Sequence, residues 1–546
     1  MKRIMIVHKK KCNPVGCGGY LCMKVSPSNH AGREAIVKSD DGKVEVNEEV
    51  ISEADRISAK KCPFDALEMI RLPDELNKEP VHRYGKNGFM LYNLPTPLFG
   101  KVVGIVGKNG IGKSTAIKIL AGVLKPNLGK TEENFEAGHD DMISYFKGTE
   151  AQKFFEKQKK GEIKVSYKPQ AVDLIPKNTE GKVIDLLKKV DEKNILEDLT
   201  EQLDLKNILE NDIKSISGGE LQRVAIAASV MKKANVYIFD EPTSYLDIKQ
   251  RIRVSKFLRE LADENTAVLV IEHDLIILDY MTDLVHLMYG KEDGYGIVSM
   301  TKTTKAGINS YLEGYIREEN MRFRDHKITF ERIMHEEKKI EKPSISTWKG
   351  IKKTLGKFTL KAEEGNIKKD EVVTVLGENG IGKTSFVKVL ADVIKSDEGK
   401  IEGEIKVSYK PQYLEANDEL VITTLKKAID KYKTQLIVPL DLEKLFTKKL
   451  SELSGGQLQR VAIADCLSQD ADLFLLDEPS AYLDVEQRLL ISKVIKDIME
   501  DRGKSAMIVD HDLLFADYLS NRLMVFDGKP AIEGISKGPF EMREGM

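Results

Sequence analysis

A chain that carries the same ordered set of strings twice is constrained above all to fold as two copies of one domain. KVSYKPQ occurs at Lys164–Gln170 and again at Lys406–Gln412. Around it recur GKNGIGKST (Gly107–Thr115) and GENGIGKTS (Gly377–Ser385), then SGGELQR (Ser217–Arg223) and SGGQLQR (Ser454–Arg460). FDEPTSYLD and LDEPSAYLD follow, and after them EHD and DHD. The offset is 237 at the signature serine and 270 at the glycine loop, so the first copy carries 33 extra residues. Of these, 28 precede Gln170, in an insert of about 130–161. Its DMISYFKGTEAQKFFEKQKK suits two short helices broken at Gly148, and a decoration of this kind reads as a partner surface.

Apolar runs such as Val102–Val106 lead into a glycine loop and a helix, and others end at acidic or histidine-bearing turns. This alternation predicts an α/β fold with a mostly parallel sheet and its chemistry at the strands' carboxyl ends. Gly107, Asn109, Gly110, Gly112, Lys113, Ser114 and Thr115 fit G-x-x-x-x-G-K-[ST], as do Gly377, Asn379, Gly380, Gly382, Lys383, Thr384 and Ser385. Such a loop aims backbone N–H groups at phosphates, the lysine reaches the β/γ oxygens, and Ser114 or Thr384 ligates Mg²⁺. Asp240 and Asp477 end apolar strands, where a carboxylate is costly unless it faces a cation. Glu241 and Glu478 are placed to activate or orient water, Gln170 and Gln412 to reach Mg²⁺ and that water, and His273 and His511 to meet the γ-phosphate. Ser217, Gly218, Gly219 and Ser454, Gly455, Gly456 open helices and suit a second phosphate grip, one that the spacing permits to act in trans.

The chain's 546 residues correspond to three or four domains at roughly 150 each. With 85 basic against 87 acidic residues, the whole-chain charge attracts no polyanion, so any such partner must meet local basic patches. No apolar run approaches the roughly 20 residues of a membrane span, and the N-terminus lacks the features of a secretory signal; the expected compartment is the cytosol. Four of the five cysteines, Cys12, Cys17, Cys22 and Cys62, fall within the first 62 residues, which suggests a metal or cofactor rather than disulfides.

A P-loop paired with SGGxLQR resembles the ABC-type ATPase domain. That resemblance implies two ATPs between the cassettes, one held by Lys113 and Ser454–Gly456, the other by Lys383 and Ser217–Gly219, with Asp247 and Asp484 closing the seam. HRYGKNGFMLYNLP, YFKGTEAQKFF, SYLD and GYIREENMRFRD further resemble the ribosome-recycling ABC ATPase of archaea and eukaryotes, the RNase L inhibitor family. By this resemblance, residues 1–75 are a ferredoxin-like α+β domain, 76–313 and 331–546 are the cassettes, and 314–330 is a hinge with basic Arg317, Arg322, Arg324 and Lys327. Adenine is expected to stack on Tyr84 and Phe89 in the first copy and on Trp348 in the second. The implied activity is ATP hydrolysis driving clamp closure in ribosome recycling, as a monomer bound to the small ribosomal subunit and its rRNA, with release or initiation factors as further partners. The competing readings are a twin-cassette ATPase serving a redox or metallocluster enzyme, such as the activation component associated with methyl-coenzyme M reductase, and a paralogue that binds the ribosome without splitting it.

The chain departs from the family pattern in two places. Two [4Fe–4S] clusters need eight cysteines in C-x₂-C-x₂-C-x₃-C-P runs. The stretch before Cys62 reads ADRISAKK, without ligands, leaving Cys12, Cys17, Cys22 and Cys62 for one [4Fe–4S] cluster, for Zn²⁺ or for no metal. The family also continues beyond a segment like FEMREGM, where this sequence ends at Met546.

Overall fold

Two sheets built to one plan carry the repeat. The structure, a computed structural model, describes residues 3–71, 78–131, 135–325, 327–328, 343–403, 405–412 and 416–545. The boundaries expected at 75/76 and 330/331, and Met546, lie outside the described residues.

In the first cassette, strands Val165–Lys168, Val236–Asp240, Ala267–Ile271, Val102–Gly107 and Leu284–Lys291 run parallel in that spatial order. The three central strands are mostly aliphatic or aromatic and buried at every residue, as a sheet covered on both faces requires. Antiparallel pairing of Leu284–Lys291 with Tyr295–Val298 extends the sheet towards Met90–Tyr92 and His82–Arg83. The second cassette repeats the order: Val407–Lys410, Leu473–Asp477, Ser505–Val509, Val372–Gly377 and Arg522–Lys529. Because the strands are parallel, their carboxyl ends gather on one side, and the glycine loops, the acidic turns and the histidine turns meet there.

The insert forms helices His139–Tyr145 and Glu150–Lys159, with Gly148 at φ 84° between them. Met142, Phe146, Phe154 and Phe155 join the core of the first cassette, which leaves the outer faces to lysines and acids. Near the hinge, Tyr315–Ile316 and Met321–Arg322 pair as a small antiparallel ribbon. Arg324 is buried: it donates to the Tyr311 carbonyl at 3.0 Å and lies 3.3 Å from Glu486 of the second cassette. Arg322 stacks over Tyr315, Arg317 reaches Glu313 at 3.7 Å, and Lys327 is exposed.

Ahead of the cassettes, Arg3–Val7 pairs antiparallel with Leu67–Arg71, and Ile36–Lys38 with Val44–Val46, beside short helices Leu21–Val25 and Arg56–Lys60. Asn87 of the first cassette is stitched to this unit: its side chain accepts from the Val46 amide at 2.8 Å and donates to the Val46 carbonyl at 2.9 Å. Among the described residues no helix is long and apolar enough to cross a membrane.

Candidate active site at the cassette seam

The glycine loops fold as phosphate cradles because small residues stand where the chain turns tightest. Gly112 sits at φ 87°, and a Cβ there would lie 2.6 Å from the Phe89 ring; Gly382, at φ 93°, meets Phe358 at 2.8 Å in the same way. Lys113 opens helix Lys113–Leu120, and its amine donates back to the carbonyls of Gly107 (2.8 Å) and Lys108 (2.6 Å). Lys383 does the same to Gly377 and Glu378, each at 2.7 Å. Burial pulls both amines down to about 8, with Asp and Glu neighbours opposing it.

The acidic turns supply the cation and water chemistry. Thr384 Oγ1 donates to Asp477 Oδ2 at 2.7 Å, and Ser114 hydrogen-bonds Asp240 in the first copy. The other oxygen of each carboxylate, Oδ1, is buried without a partner. Burial pushes Asp240 up to about 6, helped by Glu241, and Asp477 is raised by burial as well. A hydroxyl beside an orphaned buried carboxylate oxygen is a hard oxygen set that fits Mg²⁺, and a bound cation would relieve the desolvation both carboxylates bear. Ser114 with Asp240 and Thr384 with Asp477 would hold Mg²⁺, which when bound would supply charge neutralisation for phosphoryl transfer.

Glu241 and Glu478 hold left-handed backbone, φ 48° and 47°. Four side chains that sequence reasoning passed over pin this strained turn. Buried Lys168 and Lys410 donate to the carbonyls of Asp240 (3.0 Å) and Asp477 (2.7 Å), and Gln222 and Gln459 donate to those of Glu241 and Glu478, each at 2.6 Å. The signal was available in the repeated KVSYKPQ and LQR strings. Gln170 and Gln412 each donate to the glutamate's Oε1 at 2.7 Å. The two glutamates otherwise differ. Glu241 has His273 at 3.3 Å and the Ser244 hydroxyl at 3.0 Å; Glu478 has His511 at 3.9 Å, and Ala481 stands in place of the serine. Burial would raise Glu241, but His273, Lys113 and Ser244 outweigh it and hold it down to about 2. Glu478 is pushed up to about 7 by burial, with Asp510 and Asp477 adding to it.

The signature serines cap helices Gly218–Val230 and Gly455–Ser468, each closing a capping box with Glu220 or Gln457. A cavity of about 670 Å³ is lined by residues of both cassettes: Tyr84, Phe89, Lys113, Ser114, Gln170, Glu241 and His273 of the first, and Ser454, Gly455, Gly456, Gln412, Glu478 and His511 of the second. The first glycine loop thus faces the second signature. The mirrored pair is joined less directly: Asn379 binds Asp247 and the Tyr245 carbonyl, and Tyr245 packs on Gly218 and Gly219. Asp484 Oδ2 accepts from the Asn109 amide at 3.3 Å, and Asp247 Oδ2 from the Asn379 amide at 3.1 Å.

Trp348 is a correction. Its side chain is fully buried in the second core, edge-on to Phe386 with centroids 5.3 Å apart, and leaves no exposed face for a base to stack on. The place that Phe89 takes over Gly112 belongs to Phe358 over Gly382, because strand Phe358–Ala362 sits where Met90–Tyr92 does in the first copy. Tyr84, half exposed, and Phe89 lie 6.5 Å apart at the cavity wall. At the N-terminus, Cys12, Cys17, Cys22 and Cys62 all line one small apolar cavity. Burial raises the Cys12 thiol and pushes that of Cys22 up to about 11. Among the described residues no three His, Cys, Asp or Glu side chains are grouped closely enough to hold a metal ion.

The ABC transporter family model matches residues 99–244 and 360–481. An uncharacterized ABC transporter ATP-binding protein of Methanocaldococcus jannaschii is 49% identical over all of this chain and 90% of its own length. The structure titled as a model of ribosome-bound archaeal Pelota and ABCE1 superposes with a TM-score of 0.93 at 47% identity, covering 100% of this chain and 92% of that one. The complex of archaeal ribosomal stalk protein aP1 and archaeal ribosome recycling factor aABCE1 matches at 0.81 and 50% identity, covering 86% and 92%. With the first phosphate loop facing the second signature across the seam, its mirror joined through Asn379 and Asp247, and relatives at 47–50% identity covering 86–100% of it, the chain belongs to the ABCE1, or RNase L inhibitor, family of twin-cassette ABC ATPases.

Proposed function

We propose that this chain is an ATP-hydrolysing translation factor that engages the small ribosomal subunit and uses closure of its cassettes on ATP for ribosome recycling. The observation that carries this reading is the trans-facing loop and signature at Lys113 and Ser454–Gly456, in a chain that aligns over its full length with ribosome-bound archaeal ABCE1 and over 86% of it with an archaeal ribosome recycling factor. Each ATP bridges one cassette's loop and the other's signature, so binding draws the halves together and loss of the γ-phosphate releases them. In each site the glutamate accepts a proton from, or orients, the attacking water, Gln170 or Gln412 positions that glutamate, and the histidine faces the same oxygen. The helical insert, polar on its outer face, is the surface expected at the subunit, and the hinge, with Arg324 buried against Glu486, is expected to orient the two cassettes. Cys12, Cys17, Cys22 and Cys62 form the one thiol set of the N-terminal domain, which we read as the site of a single [4Fe–4S] cluster.

The test is co-sedimentation of a Glu241→Gln/Glu478→Gln double variant with purified small subunits at low salt, with Mg-ATP. ATP-dependent recovery in the subunit fraction is expected; absence from it overturns the ribosomal assignment while leaving the ATPase intact.

A further inference from the structure

The N-terminal domain contains a second ligand-like set that holds no thiols. In two-cluster ferredoxin patterns each run reads C-x₂-C-x₂-C-x₃-C-P, and the last position of one run serves the other run's cluster. Counted back from Cys62-Pro63, the positions of the second run fall on Ser52, Asp55 and Ser58. Counted forward from Cys22, the closing position of the first run falls on Ser26-Pro27. The crossover rule then sorts the eight positions into two groups: Cys12, Cys17 and Cys22 with Cys62, and Ser52, Asp55 and Ser58 with Ser26.

The structure assembles both groups separately. The four thiols share one cavity with Leu21, Val44 and Phe64. In the other group Asp55 is fully buried and its carboxylate is saturated. Oδ1 accepts from the Ser26 hydroxyl at 2.5 Å and the Ser28 amide at 3.0 Å; Oδ2 accepts from the Ser52 hydroxyl at 2.8 Å, the Ser52 amide at 2.9 Å and the Ser28 hydroxyl. Ser58, also fully buried, donates to the Cys22 carbonyl at 3.0 Å and so ties this group to the first. A buried carboxylate left alone is costly, whereas one that accepts five hydrogen bonds is not. With its lone pairs committed and no sulfur beside it, this group has nothing to offer iron.

We propose that the N-terminal domain is a one-cluster domain, in which Cys12, Cys17, Cys22 and Cys62 hold the single cluster and Asp55 with Ser26, Ser28 and Ser52 fills the place of a second. The first half rests on the thiol-set reading above; the second half stands on the hydrogen-bond group alone. A cluster takes one thiolate at each of four irons, and four thiols share this cavity. The free space between them is about 10 Å³, no more than one water fills.

Anaerobic reconstitution of the full chain with iron and sulfide, read by metal and acid-labile sulfide analysis, tests the count: about four irons and four sulfides per chain are expected, and none in Cys12→Ser/Cys62→Ser. About eight irons, or zinc in place of iron after purification from zinc-containing medium, overturns the proposal. Replacing Ser26, Ser52, Asp55 and Ser58 together by Cys is expected to double the iron content, with the first cluster's spectrum retained as the sign of a folded domain. An unchanged iron content with that spectrum retained overturns the assignment of the second place. Hydrogen exchange on the iron-free wild-type chain tests the Asp55 group without any variant. The Ser28 and Ser52 amides should exchange slowly and lose that protection in Asp55→Ala; fast exchange in the wild type shows that the group does not form unaided.

Discussion

Asp484 and Asp247 each do two jobs with one carboxylate, and the two can be separated. Oδ1 of Asp484 caps helix Val485–Arg502 by accepting from the Gln487 amide at 2.9 Å, while Oδ2 crosses the seam to the Asn109 amide. Asp247 repeats this with Gln250 at 2.9 Å and Asn379. Serine caps a helix nearly as well as aspartate but is too short to reach the other cassette. The Asp→Ser change should therefore leave stability within a few tenths of a kcal/mol, whereas Asp→Ala costs about 1 kcal/mol through the lost cap. The seam bond joins a buried carboxylate to an amide, a class worth about 1.5–3 kcal/mol; at 3.1–3.3 Å the lower end applies, so each seam is worth roughly a factor of ten. Exposed pairs at the rim, such as Lys249–Glu378, contribute little against that. The concentration of a non-hydrolysable ATP analogue that half-closes the clamp, followed by small-angle scattering, should rise about tenfold in Asp484→Ser and about a hundredfold in the double Ser variant, with thermal midpoints unchanged. If the Ser variants close at wild-type concentrations, or melt as early as the Ala variants, the carboxylates are caps and nothing more.

Replacing Glu241 and Glu478 together by Gln should cut ATP turnover roughly 10²–10⁴-fold while nucleotide binding persists, as measured by phosphate release and by filter binding. In Glu241→Gln, turnover runs on Glu478, which is pushed up to about 7; below that pH the base is protonated, so the rate should rise about tenfold per pH unit and level off above it. In Glu478→Gln, turnover runs on Glu241, held down to about 2 and ionised throughout, so its profile should lack the inflection near pH 7 that Glu478 imposes. Trp348 is the chain's sole tryptophan and fully buried, so its emission should resist acrylamide quenching and stay constant on adding Mg-ATP; a large change would return it to the nucleotide site.

The parts of the site that could be read from the sequence are those whose chemistry is encoded over a few consecutive residues. Lys113, Ser114, Asp240 and Glu241 act from turns at strand ends, where spacing along the chain fixes spacing in space. Trp348 failed for the opposite reason. Which aromatic covers Gly382 depends on the pairing register of strands Ser344–Leu355 and Phe358–Ala362, with Leu355 opposite Phe358, and register is a long-range property. The local hint was Gly356-Lys357-Phe358, an abridged copy of Gly85-Lys86-Asn87-Gly88-Phe89. The N-terminal runs were legible only in part: a search for cysteines skips positions that keep the spacing but carry oxygen in place of sulfur, and only the hydrogen bonds around Asp55 show that Ser26 and Ser52 meet there.

The inequality of the two glutamates follows from two substitutions in otherwise matched strings and one difference in distance. Ser244 becomes Ala481, which removes a donor from the second glutamate. Glu272 becomes Asp510, and this shorter acid turns its oxygens to the Ser480 hydroxyl at 2.7 Å and to its own backbone turn, where its charge bears on Glu478. His511 stands 0.6 Å farther from its glutamate than His273 does (3.9 against 3.3 Å). None of these touches the loop, the signature or the Mg²⁺ carboxylates, so both sites retain everything needed to grip ATP while differing in the readiness of the base. Hydrolysis draws on the parts that have diverged, so the two sites are expected to turn over at different rates.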